Sequence, residues 1–160
     1  MNLAFILLLA VLVSSPSATE QPPAAPAPPL PAVTRIDKDL YAIGRLRINT
    51  KKRELSMPAT VNSALTLEFV ANTRDGLKAY ESALTVDTDA ISFNTALLLL
   101  GLDPKNARVP TEHFDAIPPS GDPVEMFVDW PTAKGQKHVR VEELLFDRRT
   151  NQTLPEGPWV

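Results

Sequence analysis

From Tyr41 onward, apolar and polar residues alternate in short runs separated by turn formers, the period of strands whose successive side chains point to opposite faces. Gly44–Ile48 and Arg53–Met57 flank a polar link, Asn49–Lys52, and predict a hairpin with Leu46 opposite Leu55 on the apolar side and Arg47 opposite Glu54 outside. A second hairpin is predicted where Leu65–Arg74 and Leu77–Val86 are joined by Asp75-Gly76, a pair favoured in type I′ turns. Pairing outward from that turn sets Ala71 opposite Tyr80, Phe69 opposite Ser82 and Leu67 opposite Leu84. The face carrying Leu65, Leu67, Phe69, Tyr80, Ser82, Leu84 and Val86 is then the buried one, and Glu81 points to solvent. A third hairpin joins Val124–Trp130 to Gln136–Phe146 around Thr132–Gly135. It turns Val124, Met126, Val128 and Trp130 inward with Val139 and Val141, and sets Asp129 against His138 and Phe127 against Arg140 outside.

The period changes once. Asp89 is a suitable N-cap, no proline interrupts the chain through Leu102, and Gly101 with Pro104 supplies a helix stop. Ala96–Leu100 is apolar all round, which predicts a helix buried on most sides. From Ala90 to Leu100 it reaches about 17 Å, half a bilayer, so the leucines belong to a core rather than a membrane. The fold class expected is therefore α+β, with antiparallel hairpins packed on one buried Leu-rich helix and a ferredoxin-like arrangement as one form of it.

The first 34 residues obey neither period. An apolar run from Leu3 to Val13 followed by small residues reads as a signal peptide over residues 1–18, too short for a permanent transmembrane span. Six prolines between Gln21 and Pro31 make residues 19–34 a Pro/Ala-rich linker in extended polyproline II, leaving a domain over residues 35–160. The expected location is outside the cytoplasm, periplasmic or extracellular.

Charge and cysteine content narrow the chemistry. All 16 lysines and arginines and 18 of the 19 acids lie from Arg35 onward, a balance of −2 without a basic stripe, which argues against nucleic acid as a partner. The chain has no cysteine, so disulfides, thiolate metal sites, cysteine nucleophiles and cysteine-linked lipids are excluded. Metal binding has only loose candidates: Glu112, His113 and Asp115 together, Asp87 with Asp89, and His138. No Gly-x-Ser-x-Gly elbow and no Gly-rich phosphate loop is present. Strand alternation keeps Glu81 from activating Ser82 as a nucleophile, and Ser82 reads as a small residue making room for Phe69 or a packed helix.

Three stretches together, Lys52–Asn62, Lys78–Val86 and Ile91–Pro104, resemble the YdjY-domain family of exported, uncharacterised bacterial proteins. Tyr80, Glu81, Ser82, Asn94 and Ala96–Gly101 carry the resemblance, which continues more loosely through Val128–Trp130 and Val139–Asp147 to Pro158–Val160. The family implies no activity. Some members are labelled ferredoxin-like or lipoproteins, and this sequence departs from both, having no cysteine to hold an iron-sulfur cluster or a lipid. Family members continue with a further strand pair, so the resemblance also implies a chain truncated at its C-terminus.

These observations predict a non-catalytic binding module without cofactor or metal, whose partner is another exported protein or a cell-envelope component. The competing class is a periplasmic hydrolase or accessory enzyme using His113 or His138 with nearby carboxylates. Glu81, His113, His138 and Arg140 are the candidate functional residues. A pocket gathering a histidine with Glu81, Glu112 or Asp115 would favour the enzyme, and an exposed sheet face carrying Phe127 and Arg140 would favour binding.

Overall fold

The computed structural model describes residues 29–112 and 115–160. The predicted signal peptide, residues 19–28 of the predicted linker and His113 lie outside the described residues. An antiparallel meander opens the fold, in the order β1 (Thr34–Arg35), β2 (Leu40–Ile43), β3 (Leu46–Asn49) and β4 (Glu54–Ser56). Gly44 and Arg45 join β2 to β3, with Gly44 at φ +54, a left-handed conformation that glycine adopts without a Cβ clash. The β3–β4 turn falls on Thr50–Arg53, one residue later than predicted, so Ile48 lies opposite Leu55 and Arg47 opposite Ser56. Because the pairing moves by two positions, the inward face survives: Leu46 and Ile48 are both 0% exposed.

The second sheet contradicts the predicted hairpin. It contains β5 (Ala59–Val61), β6 (Phe69–Thr73) and β7 (Ser82–Val86) in the order β5-β7-β6. Central β7 runs antiparallel to β5 and parallel to β6, with Phe69 beside Ser82 and Ala71 beside Leu84. Asp75-Gly76 forms no type I′ turn, since Gly76 is not among the glycines with positive φ. Asn72 instead ties the bend together, its side-chain amide donating to the carbonyls of Thr73 and Gly76. Arg74–Glu81 then returns the chain through a 3₁₀ turn at Ala79–Glu81. Eight residues can span about 28 Å when extended, enough to retrace a five-residue strand of about 17 Å. The expected buried face also fails: Leu65, Phe69 and Tyr80 are exposed, while Ser82 is 0% exposed.

Helix α1 (Ala90–Leu99) begins and ends where the sequence predicts. Asp89 caps it, accepting from the Ser92 backbone N–H at 2.8 Å and the Ser92 hydroxyl at 2.6 Å. Those two bonds, the hydroxyl first, hold the Asp89 carboxyl below its ordinary pKa. At the other end Gly101, at φ +86, donates to Leu98 and Leu102 donates to Leu97, a complete Schellman motif. One face packs on β3, and Ala96 and Leu100 join Ile43, Leu46 and Ile48 in the core, flanked by Tyr41, Leu55, Met57 and Leu102. The helix is not buried on most sides, because Ile91, Leu98 and Leu99 face outward. One short helix can be covered on one side by one sheet, and among the described residues no second layer closes over the rest.

The C-terminal part contains β8 (Phe127–Thr132) and β9 (Gly135–Arg140), a hairpin in the predicted register. Its second strand ends earlier than expected, because Val141–Leu144 forms a helical turn, α2, followed by the small pair β10 (Phe146–Asp147) and β11 (Gln152–Thr153). Among the described residues the architecture is thus mostly β, four sheets with one substantial helix. It is not the predicted helix-packed α+β fold, and the ferredoxin-like arrangement is excluded with it. The physical reason is division: hydrogen bonding distributes the eleven short strands of the described residues over separate small sheets instead of one sheet that α1 could back.

Leu46 and Ile48 are the large apolar side chains fully withdrawn from water, and each contributes about 1.5–3 kcal/mol by burial. Leu46→Ala is expected to lower stability by about 2–5 kcal/mol in urea unfolding. Gly101→Ala is expected to cost about 1–2 kcal/mol through backbone strain alone, since nothing lies within 4 Å of an added Cβ there. Equal unfolding midpoints for wild type and Gly101→Ala would contradict the Schellman assignment.

Candidate functional site

Alternation along the β8–β9 hairpin places Phe127, Asp129, His138 and Arg140 on one face. The Phe127 and His138 rings stack at a centroid distance of 4.5 Å and an interplanar angle of 13°. The Arg140 guanidinium lies 5.3 Å from the Phe127 centroid, within cation–π range. His138 Nδ1 is 2.7 Å from Asp129 Oδ1, in a pair more than half exposed on both sides. Phe127 is itself 41% exposed, so this face presents an aromatic ring and an imidazole to water beside a largely covered guanidinium.

Arg140 also reaches inward. It bonds Glu125 at 3.0 Å and Glu142 Oε1 at 3.1 Å, and Trp159 Nε1 donates to the same Glu142 oxygen at 3.2 Å. Glu142 is 2% exposed. The helical turn α2 creates this arrangement: as a strand continuing β9, Glu142 would share the outward face of Arg140, whereas the turn folds it under the hairpin. Its carboxyl is held below the usual carboxylate range by its own backbone N–H first, against the opposing effect of burial, and further by Arg140 and Trp159. Arg140 Nε and Glu142 Oε2 have no partner among the described residues, and they are the two atoms that a side-on bidentate fork would join.

Glu81 does not point freely into solvent. It ends the 3₁₀ turn, and its carboxylate is held by Lys78, whose ammonium also bonds the Tyr80 hydroxyl at 3.2 Å. Glu81 first, then Tyr80, raises the Lys78 pKa above its ordinary value. Ser82 is buried and donates its hydroxyl to the Lys78 carbonyl at 2.7 Å, so Glu81 and Ser82 are separately engaged. Of the loose metal candidates, Asp89 is the helix cap and Asp115 is bonded by Arg108 and by the backbone of Ile117 and Thr111. Among the described residues no three His, Asp or Glu side chains converge as a metal site. No helix among them is long and apolar enough to cross a membrane.

Sequence reasoning missed one further cluster, at the seam of the first two sheets. Arg45, from the β2–β3 turn, and Arg74, just after β6, each place Nη1 2.6 Å from a different oxygen of Asp87, which follows β7. Pro58, Ala59, Thr60 and Thr85 complete a cleft of about 350 Å³. No sequence signal joins the three residues, because 42 positions separate Arg45 from Asp87 and only the packing of the sheets closes the gap.

A model of the YdjY domain matches residues 46–155. The chain belongs to the YdjY family. No curated protein and no solved structure matches it. The matched span of the YdjY domain includes Glu81, His113, His138 and Arg140, while Trp159 lies beyond it. The structure thus brings His138 and Arg140 together through Phe127 and leaves Glu81 apart, on the connection before β7.

The setting of Glu142 leads to an expected loss of stability in acid. Its depressed pKa adds stability that is fully present above the unfolded value, about 4.3, and is lost as pH falls through the lower folded value. Thermal unfolding midpoints measured from pH 7 to pH 3 are expected to fall below about pH 4 in wild type and to fall less in Glu142→Gln. An unchanged acid limb in Glu142→Gln would assign the loss to other carboxylates.

Proposed function

We propose that this YdjY domain is a non-catalytic binding module of an exported protein, working in the periplasm or outside the cell, and that the β8–β9 face carries its recognition surface. The observation that carries the reading is Phe127, exposed, stacked on His138 and approached by Arg140. Aromatic and arginine side chains dominate binding energy where proteins meet, because a preformed aromatic surface loses little conformational freedom on being covered. Arg140 is already fixed by Glu125 and Glu142, which reduces that loss further. The partner class is a second exported protein or a cell-envelope component. Export rests on the Leu3–Val13 run, and the Pro/Ala-rich linker would hold the domain away from whatever precedes it.

The competing reading is a periplasmic hydrolase or accessory enzyme, and the His138–Asp129 pair is the observation in its favour, since a carboxylate on Nδ1 orients an imidazole base. Against it stands exposure: side-chain values of 62% and 54% leave the pair in water rather than in a desolvated site.

A photo-crosslinking residue at Phe127, in a bacterium that exports the native chain, is expected to give a discrete protein adduct that Arg140→Glu weakens, with none from position 151. The identified partner should then bind the purified domain about tenfold or more weaker when Phe127 is replaced by alanine. A hydrolytic activity abolished by His138→Ala, with no adduct from the hairpin, would overturn the binding reading.

A further inference from the structure

We infer that the cleft between the first two sheets is an oxyanion subsite, taking a small ligand through a carboxylate or phosphate group. This reading is independent of the hairpin face. Among the described residues, Asp87 alone is shared by two cations. Two positive charges around one negative leave the cleft with a local excess of +1, and the two guanidiniums repel each other across a single carboxylate. A second anion relieves that repulsion.

The donors for it are already in place. Each arginine contacts Asp87 end-on through Nη1 alone, and neither guanidinium makes another hydrogen bond among the described residues. The rest of each planar fork is therefore available to a second acceptor, the geometry that suits bidentate recognition of carboxylate and phosphate. Other cationic side chains are differently committed: Arg140 serves two carboxylates, Lys78 serves Glu81 and Tyr80, and Arg108 serves Asp115 with two carbonyls. The cleft holds about 350 Å³, at the lower end of small-molecule sites, and Thr60 adds polar wall, while the Thr85 hydroxyl is engaged by Asn62 and Asn72. Arg45 and Arg74 have side-chain exposures of 66% and 58%, so a ligand displaces water from them rather than breaking a buried network. The two arginines come from different sheets, so a bound oxyanion also bridges the seam.

The test titrates the full mature chain with inorganic phosphate and, separately, with succinate, at constant ionic strength balanced by chloride, following backbone amide shifts. Saturable shifts at Arg45, Thr60, Arg74 and Thr85 are expected, weakened about tenfold by Arg45→Gln or Arg74→Gln and unaffected by Arg149→Gln. Tighter binding of phosphate assigns the phosphoryl class, and tighter binding of succinate the carboxylate class. Asp87→Asn removes the internal competitor and is expected to bind the preferred anion about tenfold more tightly. A clamp serving structure alone would give the opposite pattern: shifts linear in anion concentration and equal in wild type, Arg45→Gln and Arg74→Gln. That pattern overturns the proposal even if Asp87→Asn does not fold, because the arginine variants alter exposed side chains and carry the decision alone.

Discussion

Leu46 and Ile48 point from one short strand into the space beneath Ala96 and Leu100, and the other elements are arranged around that contact. The alanine is the permissive partner: a larger side chain at position 96, which is 0% exposed, would hold the helix off the sheet. Asp89 and Gly101 start and stop the helix so that the Ala96–Leu100 face meets β3 and Leu102 swings back against the same core. A nucleus of so few fully buried side chains leaves much apolar surface outside it, including Leu98, Leu99 and Phe69. Polar contacts tie further elements to that nucleus.

Two of those contacts cross between elements far apart in the chain. Asp87 joins the β2–β3 turn to the end of β6, and Glu142 joins β9 through Arg140 to Trp159, beside which Trp159 and Val124 exchange backbone hydrogen bonds at 2.8 Å. They differ in exposure, and the difference governs what each can do. Glu142 is shut in, so its charge is committed to holding the C-terminal segment under the hairpin. Asp87 is partly open and its arginines more so, so that cluster can exchange partners with solvent and solutes.

Local signals were read correctly at the helix ends and along the β8–β9 hairpin. The cap at Asp89 and the stop at Gly101 follow from residues within a few positions of one another, and the pairing of Phe127 with Arg140 and Asp129 with His138 follows from a single hairpin. The candidate face was therefore legible down to its contacts across the hairpin, whereas Arg140's bonds to Glu125 and Glu142 were not. Asp75-Gly76 misled because a turn dipeptide specifies a bend, not what the chain does afterwards. Asn72 and the Ala79–Glu81 turn send β7 alongside β6 in parallel, with β5 as its other partner. Glu81, expected on the outer face, became the ion-pair partner of Lys78 for the same reason.

Sequence alone determined the helix and its ends, the inward face of β3, the hairpin register at β8–β9 and the exclusion of cysteine chemistry, because each depends on side-chain identity or on short-range periodicity. Tertiary structure alone decided that the strands of the described residues divide among four sheets, that β6 and β7 run parallel, that the helix keeps an exposed side, and that Arg45, Arg74 and Asp87 meet. Strand pairing and ion pairing between distant segments are set by which surfaces can be buried together, and alternation along one strand carries no record of the strand beside it.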